Sequence, residues 1–367
     1  MPRILLLATT DLVHDQRMTR ISSSLHRAGA QVLLVGRILP HSQPLSTQQY
    51  EQQRMRGHFH KGKWFYLEFN IRLFFFLLSN RFDQVCAADL DTLLPALLVA
   101  RLRGKKVLYD AHEYFTEVPE LLHRPATRRV WEIIARIGIP RVDTAYTVGQ
   151  HLAEVLSQRY GRPFHVIRNM PAGEPSVPAP DNHRPLLLYQ GALNAGRGLE
   201  ALLEAMLQLP DYTLWIAGQG DLQETLMAFS ATHRLEKNVH FLGNLPPDTL
   251  RTITPRAWLG LNLLDGHSLS YYYSLANKSM DYVQAGIPSL QMDFPEYRHL
   301  NQTYPCFILL ADASPASILN AVRGLEADPA RYAQLCRHCR EAQRVWNWEQ
   351  EEKKLLPLYF PTPIIGL

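Results

Sequence analysis

Short apolar runs alternate with stretches of helical spacing along almost the whole chain, the pattern of parallel strands joined by crossover helices. Ile4–Ala8 reads as the first strand and Gln31–Val35 as the second, joined by a helix over about 17–28 that Gly29 stops. Gln84–Ala87, Lys106–Tyr109, Thr144–Thr147 and His165–Ile167 read as further strands, with a helix over about 93–102 between the first two. A proline-rich stretch, 171–184, cannot pack as an element and reads as a linker. The pattern then restarts with strands near 186–191, 214–217, 239–243, 258–264, 289–292 and 306–310, interleaved with helices. These elements give α/β architecture in two doubly wound domains: 1–170, the linker 171–184, 185–345, and a helical tail 346–367.

Two segments depart from the alternation. Residues 36–63 are polar and read as irregular, with Arg54, Arg56, His58, His60, Lys61 and Lys63 forming a basic patch. The apolar run from Trp64 to Leu78 is too short and interrupted for a bilayer span, which needs about 20 apolar residues. It reads first as a buried crossover helix; after the basic patch, a membrane-surface helix is the second reading.

Charge sharpens that point. The net charge is only +4, but residues 1–180 carry +8 and residues 181–367 carry −4. A basic first half suits an anionic surface or substrate, and the absence of a basic, aromatic nucleic-acid module argues against nucleic acid. Four scattered cysteines suit a reducing compartment, and the N-terminal apolar run is too short for a secretory signal. A cytoplasmic protein is expected, with room for peripheral contact at the inner membrane face. Cys336 and Cys339 have the gap of a zinc half-site, but no second pair completes it and a helical pattern contains them.

Ligands of open α/β sheets bind at the carboxyl ends of strands, so chemistry is sought in the loops there. In the first half these loops hold Asp11 after the first strand, Asp89 and Asp91 after the third, and His112 with Glu113 after the fourth. None carries a dinucleotide-type glycine fingerprint. In the second half, the first strand runs into Gly191-Ala192-Leu193-Asn194-Ala195-Gly196-Arg197-Gly198 and then a helix. Glycines let backbone approach a phosphate at a helix N-terminus, and Arg197 adds a fork of donors. Gly218 ends the next strand. Further on, Asn277 can cap a short helix holding Met280, Val283 and Gln284 that Gly286 and Pro288 stop, leaving Lys278 in its first turn, where the free N–H groups favour an anion.

The segments Asn277-Lys278-Ser279-Met280-Asp281-Tyr282 and Ala285-Gly286-Ile287-Pro288, with the 190–198 loop, resemble retaining glycosyltransferases of the two-domain GT-B fold in sequence family four. The resemblance implies two Rossmann-like domains facing a cleft, with a C-terminal helix crossing back to the first. It implies transfer of a sugar from a nucleotide diphosphate sugar to an acceptor hydroxyl on a saccharide, a lipid-linked glycan or a small molecule, with retention and without metal or other cofactor. By the same resemblance, Gly191, Gly196, Arg197, Gly218, Lys278 and Asp281 bind the donor, Asp281 through the ribose. His112, Arg197 and Lys278 carry the catalytic roles, and Asp11, Asp89 and Glu113 face the acceptor. The family pattern has a further acid eight positions before Asp281, where this chain has Tyr273. Two other readings remain: a nucleotide-sugar 2-epimerase on the same fold, and a non-catalytic nucleotide-sugar-binding partner of another transferase.

Overall fold

The computed structural model describes residues 1–173 and 185–360. They form two compact units, Met1–Asn169 together with the chain from Glu351 onward, and Met170–Gln350. Most of the proline-rich stretch, from residue 174 to 184, and the end of the tail from 361 lie outside the described residues.

In the first unit, β1 (Arg3–Leu7), β2 (Gln31–Arg37), β3 (Glu51–Met55), β4 (Gln84–Ala88), β5 (Lys106–Ala111), β6 (Thr144–Thr147) and β7 (Phe164–Val166) form one parallel sheet in the order β3-β2-β1-β4-β5-β6-β7. The crossovers are α1 (Gln16–Arg27), α2 (Gly62–Ser79), α3 (Leu90–Leu102), the short α4 (Pro119–Leu122), α5 (Pro125–Gly138) and α6 (Gln150–Tyr160). Helices on both faces let the central strands be apolar throughout, and Ile4, Leu5, Leu6 and Leu7 are fully buried. The strand order reverses between β1 and β4, which sets their carboxyl ends apart as a place for a ligand.

Two expectations are corrected here. The segment 36–63 is not irregular throughout, because Glu51–Met55 pairs with β2 as an edge strand, Leu33 against Glu51 through Arg37 against Met55. Its residues, Glu-Gln-Gln-Arg-Met, show no alternation because the edge leaves most of them accessible, so backbone pairing alone makes the strand. Nor is the apolar helix buried all round. Phe65, Phe69, Leu73 and Leu77, spaced by four, are buried, while Trp64 and Phe75 are 55% and 63% exposed.

In the second unit, β8 (Leu186–Gln190), β9 (Thr213–Ala217), β10 (Val239–Gly243), β11 (Leu259–Asn262), β12 (Ser289–Met292) and β13 (Phe307–Leu310) are parallel in the order β10-β9-β8-β11-β12-β13. Around them pack α7 (Leu199–Met206), α8 (Gln223–Thr232), α9 (Pro247–Ile253), α10 (Leu269–Tyr272), α11 (Asn277–Gln284), α12 (Pro295–Thr303), α13 (Pro315–Glu326) and α14 (Pro329–Gln343). The reversal here falls between β8 and β11. Trp346, read from sequence as the start of the tail, lies in this unit's core, its ring stacked on Phe307 at 6.4 Å.

A last helix, α15 (Trp348–Tyr359), ends the described chain. Its residues from Glu351 are tied into the first unit. Tyr359 is fully buried and its hydroxyl lies 2.9 Å from that of Tyr146, while its carbonyl accepts from Gln84 at 3.0 Å.

Candidate functional site

In the second unit, β8 ends in Gln190 and turns at Gly191, whose φ of +136° a side chain rarely adopts. Gly218, at the end of β9, presses on that turn so closely that a Cβ there would sit 1.8 Å from the Gly191 carbonyl oxygen. The loop continues to Gly198, which opens α7 without a side-chain cap, leaving first-turn N–H groups unclaimed by any capping side chain. Gly196 leaves room for the Asp265 carboxylate, which a Cβ at that position would meet at 2.7 Å, and the Asp265 N–H donates to the Gly196 carbonyl.

Helix α11 lies beside this loop. It begins at Asn277 itself, so Asn277 is not the cap that the sequence suggested; Ala276 holds that position and has no side chain to cap with. Its N-terminus is fixed from outside instead. Tyr297 Oη accepts from the Ala276 N–H at 2.9 Å and from Asn262 Nδ2 at 2.9 Å, and Ser279 Oγ donates to Gln291 Oε1 at 2.9 Å. Below it, Tyr282 packs its ring on Gly260, where a Cβ would come within 2.4 Å, and donates to the Leu188 carbonyl.

This placement puts Lys278 against the glycine turn. Its side chain is only 7% exposed, its Nζ lies 3.9 Å from the centroid of the Tyr189 ring, and Nζ has no hydrogen-bond partner among the described residues. Burial, and then the nearby Arg197 charge, push its pKa well below the ordinary Lys value. Arg197 has its guanidinium 5.5 Å from the Tyr271 ring, and its Nε is also buried without a partner. Two basic side chains held together with unused donors, beside helix N-termini that lack side-chain caps, favour an anion. Asp281, one turn on in α11, is half-buried and accepts from Gln190 Nε2 at 2.9 Å, Gln190 being held in turn by Thr254 at 3.0 Å.

The first unit gathers a separate polar cluster at the ends of β4 and β5. Arg17 grips Asp110 with two hydrogen bonds, 3.0 and 2.7 Å, and donates to the Ile167 carbonyl at 2.9 Å; the pair is 4% and 0% exposed. Burial alone would raise the Asp110 pKa, but Arg17 and His112 outweigh it and hold it down at about 2. His112 Nε2 lies 3.0 Å from Asp110 Oδ2 and Nδ1 lies 3.6 Å from Asp89 Oδ2. Burial opposes its charge, yet Asp110 and Asp89 raise its pKa to about 9. Burial also raises Asp89, with Glu113 and Asp91 adding to it against His112. Because Asp110 is kept ionised by Arg17, we place the proton of this group on His112. Asp89 has φ +59° and ψ 175°, a conformation suited to glycine, and its carboxylate accepts the His112 N–H at 2.9 Å.

Asp11 is engaged locally, accepting from the Val13 N–H at 3.2 Å and from Ser42 Oγ at 3.1 Å. Glu113 is half-buried, next to His112 in the same turn.

The two halves match two family models. Residues 16–170 match the model described as Glycosyltransferase Family 4 and residues 174–346 the one described as Glycosyl transferases group 1. The chain belongs to the family 4, group 1 glycosyltransferases. A search among curated protein sequences finds no match. Among solved structures, the chain is similar to a sucrose-phosphate synthase from Thermosynechococcus elongatus, with TM-score 0.80 and 17% identity over 98% of this chain and 99% of that one. It is also similar to HepE of Anabaena in complex with UDP and glucose, with TM-score 0.77 and 13% identity over 99% and 100% of the chains. A third likeness is to WaaG, a glycosyltransferase involved in lipopolysaccharide biosynthesis, with TM-score 0.76 and 16% identity over 99% and 100%. The fold is GT-B.

In this glycosyltransferase Gly191, Gly196, Arg197, Gly218, Lys278 and Asp281 fall at one edge of the second sheet, and His112, Asp89 and Glu113 at one edge of the first. Sequence reasoning missed Arg17 and Asp110, which hold His112, because their partnership spans 93 positions. It also missed Gln190, Asp265 and Tyr297. Asp265 could have been suspected, since it follows β11 at a strand's carboxyl end; no local signal marks Tyr297.

Proposed function

We propose that this glycosyltransferase takes its sugar from a nucleoside diphosphate donor, with retention at the anomeric carbon and without a metal ion. The observation that carries the donor reading is the buried Lys278 side chain beside Arg197 at the start of α11, its Nζ without a hydrogen-bond partner among the described residues; retention follows the family resemblance. Breaking the bond from sugar C1 to the leaving oxygen places negative charge on the diphosphate. Fixed cations and helix N–H groups there lower that barrier, and they do so more strongly in a site closed to water. The acceptor oxygen bonds to C1 on the face the diphosphate leaves, and its proton passes to a leaving phosphate oxygen, so charge and atoms balance with no further reactant. Lys278 and Arg197 supply the positive charge that a metal would otherwise provide.

Asp281, oriented by Gln190, suits two ribose hydroxyls as donors to one carboxylate. His112 is assigned to the donor sugar, where the Nδ1–H of its cationic imidazole, with Nε2–H given to Asp110, donates to a hydroxyl oxygen. Asp11, Asp89 and Glu113 are assigned to the acceptor side, a saccharide, a lipid-linked glycan or a small molecule. Asp11 is the weakest of these, since its carboxylate is already engaged. HepE was solved in complex with UDP-glucose, which makes UDP-sugars the first donors to try. The first unit's basic surface is assigned to contact with the inner face of a membrane.

Incubating the protein with UDP-glucose and related donors in EDTA, and following release of diphosphate and free sugar by NMR, tests the reading. Slow release of sugar with the donor's anomeric configuration supports it. Release of the inverted anomer removes retention, and turnover only with added divalent cation removes metal independence.

A further inference from the structure

Three helices of the first unit adjoin one another, with α3 lying on β4 and β5. α3 packs against both α2 and α5, and Tyr66 of α2 meets Trp131 of α5 edge to face at 5.0 Å. Their inner faces are used on the core, but their outer faces are apolar as well. On α2, Trp64, Leu67, Ile71 and Phe75 recur at spacings of three and four and are all exposed. Leu98 and Leu102 continue this on α3, and Val130, Ile133 and Ile137 on α5. Large apolar residues exposed on three adjoining helices mark an interaction surface rather than ordinary scatter.

The charge around this face is mainly positive. Glu68 pairs with Arg72 at 2.8 Å and His58 at 2.8 Å, and Glu132 with Arg136 and Arg159, which leaves Glu120 of α4 as an exposed acid without an ion pair among the described residues. Among the described residues, Lys61, Lys63 and Arg129 form no ion pair and are exposed. Between β3 and α2 runs an open groove lined by Ile71, Phe75, Phe76 and Leu78, with Arg56 and Arg72 beside them. Apolar side chains flanked by unpaired bases match the boundary between acyl chains and anionic headgroups. No helix among the described residues is long and apolar enough to cross a membrane, so the match is to lying on one.

We propose that the outer face of α2, α3 and α5 docks on an anionic phospholipid bilayer, with Trp64, Ile71 and Phe75 entering the headgroup boundary and Lys61, Lys63 and Arg129 meeting lipid phosphates. This deepens the membrane contact within the proposed function and rests on that part alone.

Co-sedimentation of the full chain with vesicles tests it, using phosphatidylcholine alone and an equal mixture with phosphatidylglycerol. The protein should sediment with the anionic vesicles and not the neutral ones, less so as salt shortens the range of attraction below about 10 Å. The triple variant Trp64→Ser, Ile71→Ser, Phe75→Ser should lose at least about a hundred-fold in partitioning. Lys61→Gln with Lys63→Gln should lose roughly five-fold per charge. All these positions are exposed, so both variants should keep the wild-type melting temperature and nucleoside diphosphate affinity. No binding to anionic vesicles, equal binding to neutral ones, or binding undiminished in the triple variant overturns the proposal. So does a wild-type dimer in sedimentation velocity that the triple variant abolishes while vesicles bind neither, which would give the face to a second copy. If nucleotide binding fails while vesicle binding behaves as stated, the donor reading falls and this one stands.

Discussion

Lys278 is the residue at which stability and function oppose each other. A buried lysine side chain whose Nζ has no hydrogen-bond partner among the described residues destabilises the ligand-free fold, and its charged form gains most when an anion arrives. Lys278→Met should therefore raise the melting temperature of the free protein while weakening nucleoside diphosphate binding by about 1.5–3 kcal/mol, the range of a charge-assisted hydrogen bond. The two effects are read in one thermal-shift series with and without nucleotide. Because the native pKa of Lys278 lies below its ordinary 10.5, the unfolded chain binds the extra proton. Stability of the free protein should thus rise as pH climbs toward 10.5, and Lys278→Met should remove that component.

His112 has the opposite sign. Its pKa is raised from 6.5 to about 9, so the native state binds the proton more tightly. The stability it contributes is complete below pH 6.5 and is lost as pH rises to about 9. Urea unfolding of His112→Ala at pH 6 and pH 9 checks this: the variant should be less stable than wild type at pH 6, with the gap closing at pH 9.

At the scale of elements, the glycine turn and α11 depend on close approaches that tolerate little. Gly218→Ala would drive a methyl into the Gly191 carbonyl at 1.8 Å and should destabilise the second unit by several kcal/mol, on the order of 2–4. Tyr297→Phe removes the acceptor of the Ala276 N–H and should cost about 1–3 kcal/mol, displacing the start of α11 and weakening nucleotide binding with it. Equilibrium unfolding with calorimetry separates the two consequences.

Elements such as β1, β4 and β11 were legible because burial on both faces makes them continuous apolar runs. β3 was not, because an edge strand can be polar and is specified by its partner's backbone. The glycines around Arg197, and Lys278 with its glycine and proline stop, were legible because local backbone needs dictate them. The Arg17–Asp110–His112 chain was not, since only the fold brings Arg17 and Asp110 together. For α2 the sequence left two readings, a buried crossover and a membrane-surface helix, because a run apolar on all sides has no period to show which side will be covered.

For the whole molecule, the chain's end matters to the unit in which the chain begins. Tyr359 is fully buried against Tyr146, and Glu351 accepts the Arg168 N–H at 3.0 Å. Tyr359→Ala should destabilise the first unit by about 3–5 kcal/mol, as expected for a large aromatic truncated in a core. Hydrogen exchange should show the loss in β4 and β6, with second-unit amides unchanged.

The central claim is that the second unit binds a nucleoside diphosphate through Lys278 and Arg197 without a metal. Titration calorimetry with UDP, GDP and ADP in EDTA, on wild type and on Lys278→Met, tests it most directly. The account predicts selective binding of one diphosphate, unchanged by added magnesium and weakened about ten- to a hundred-fold in the variant. Binding of none of them, binding that appears only with magnesium, or equal affinity in Lys278→Met would contradict it.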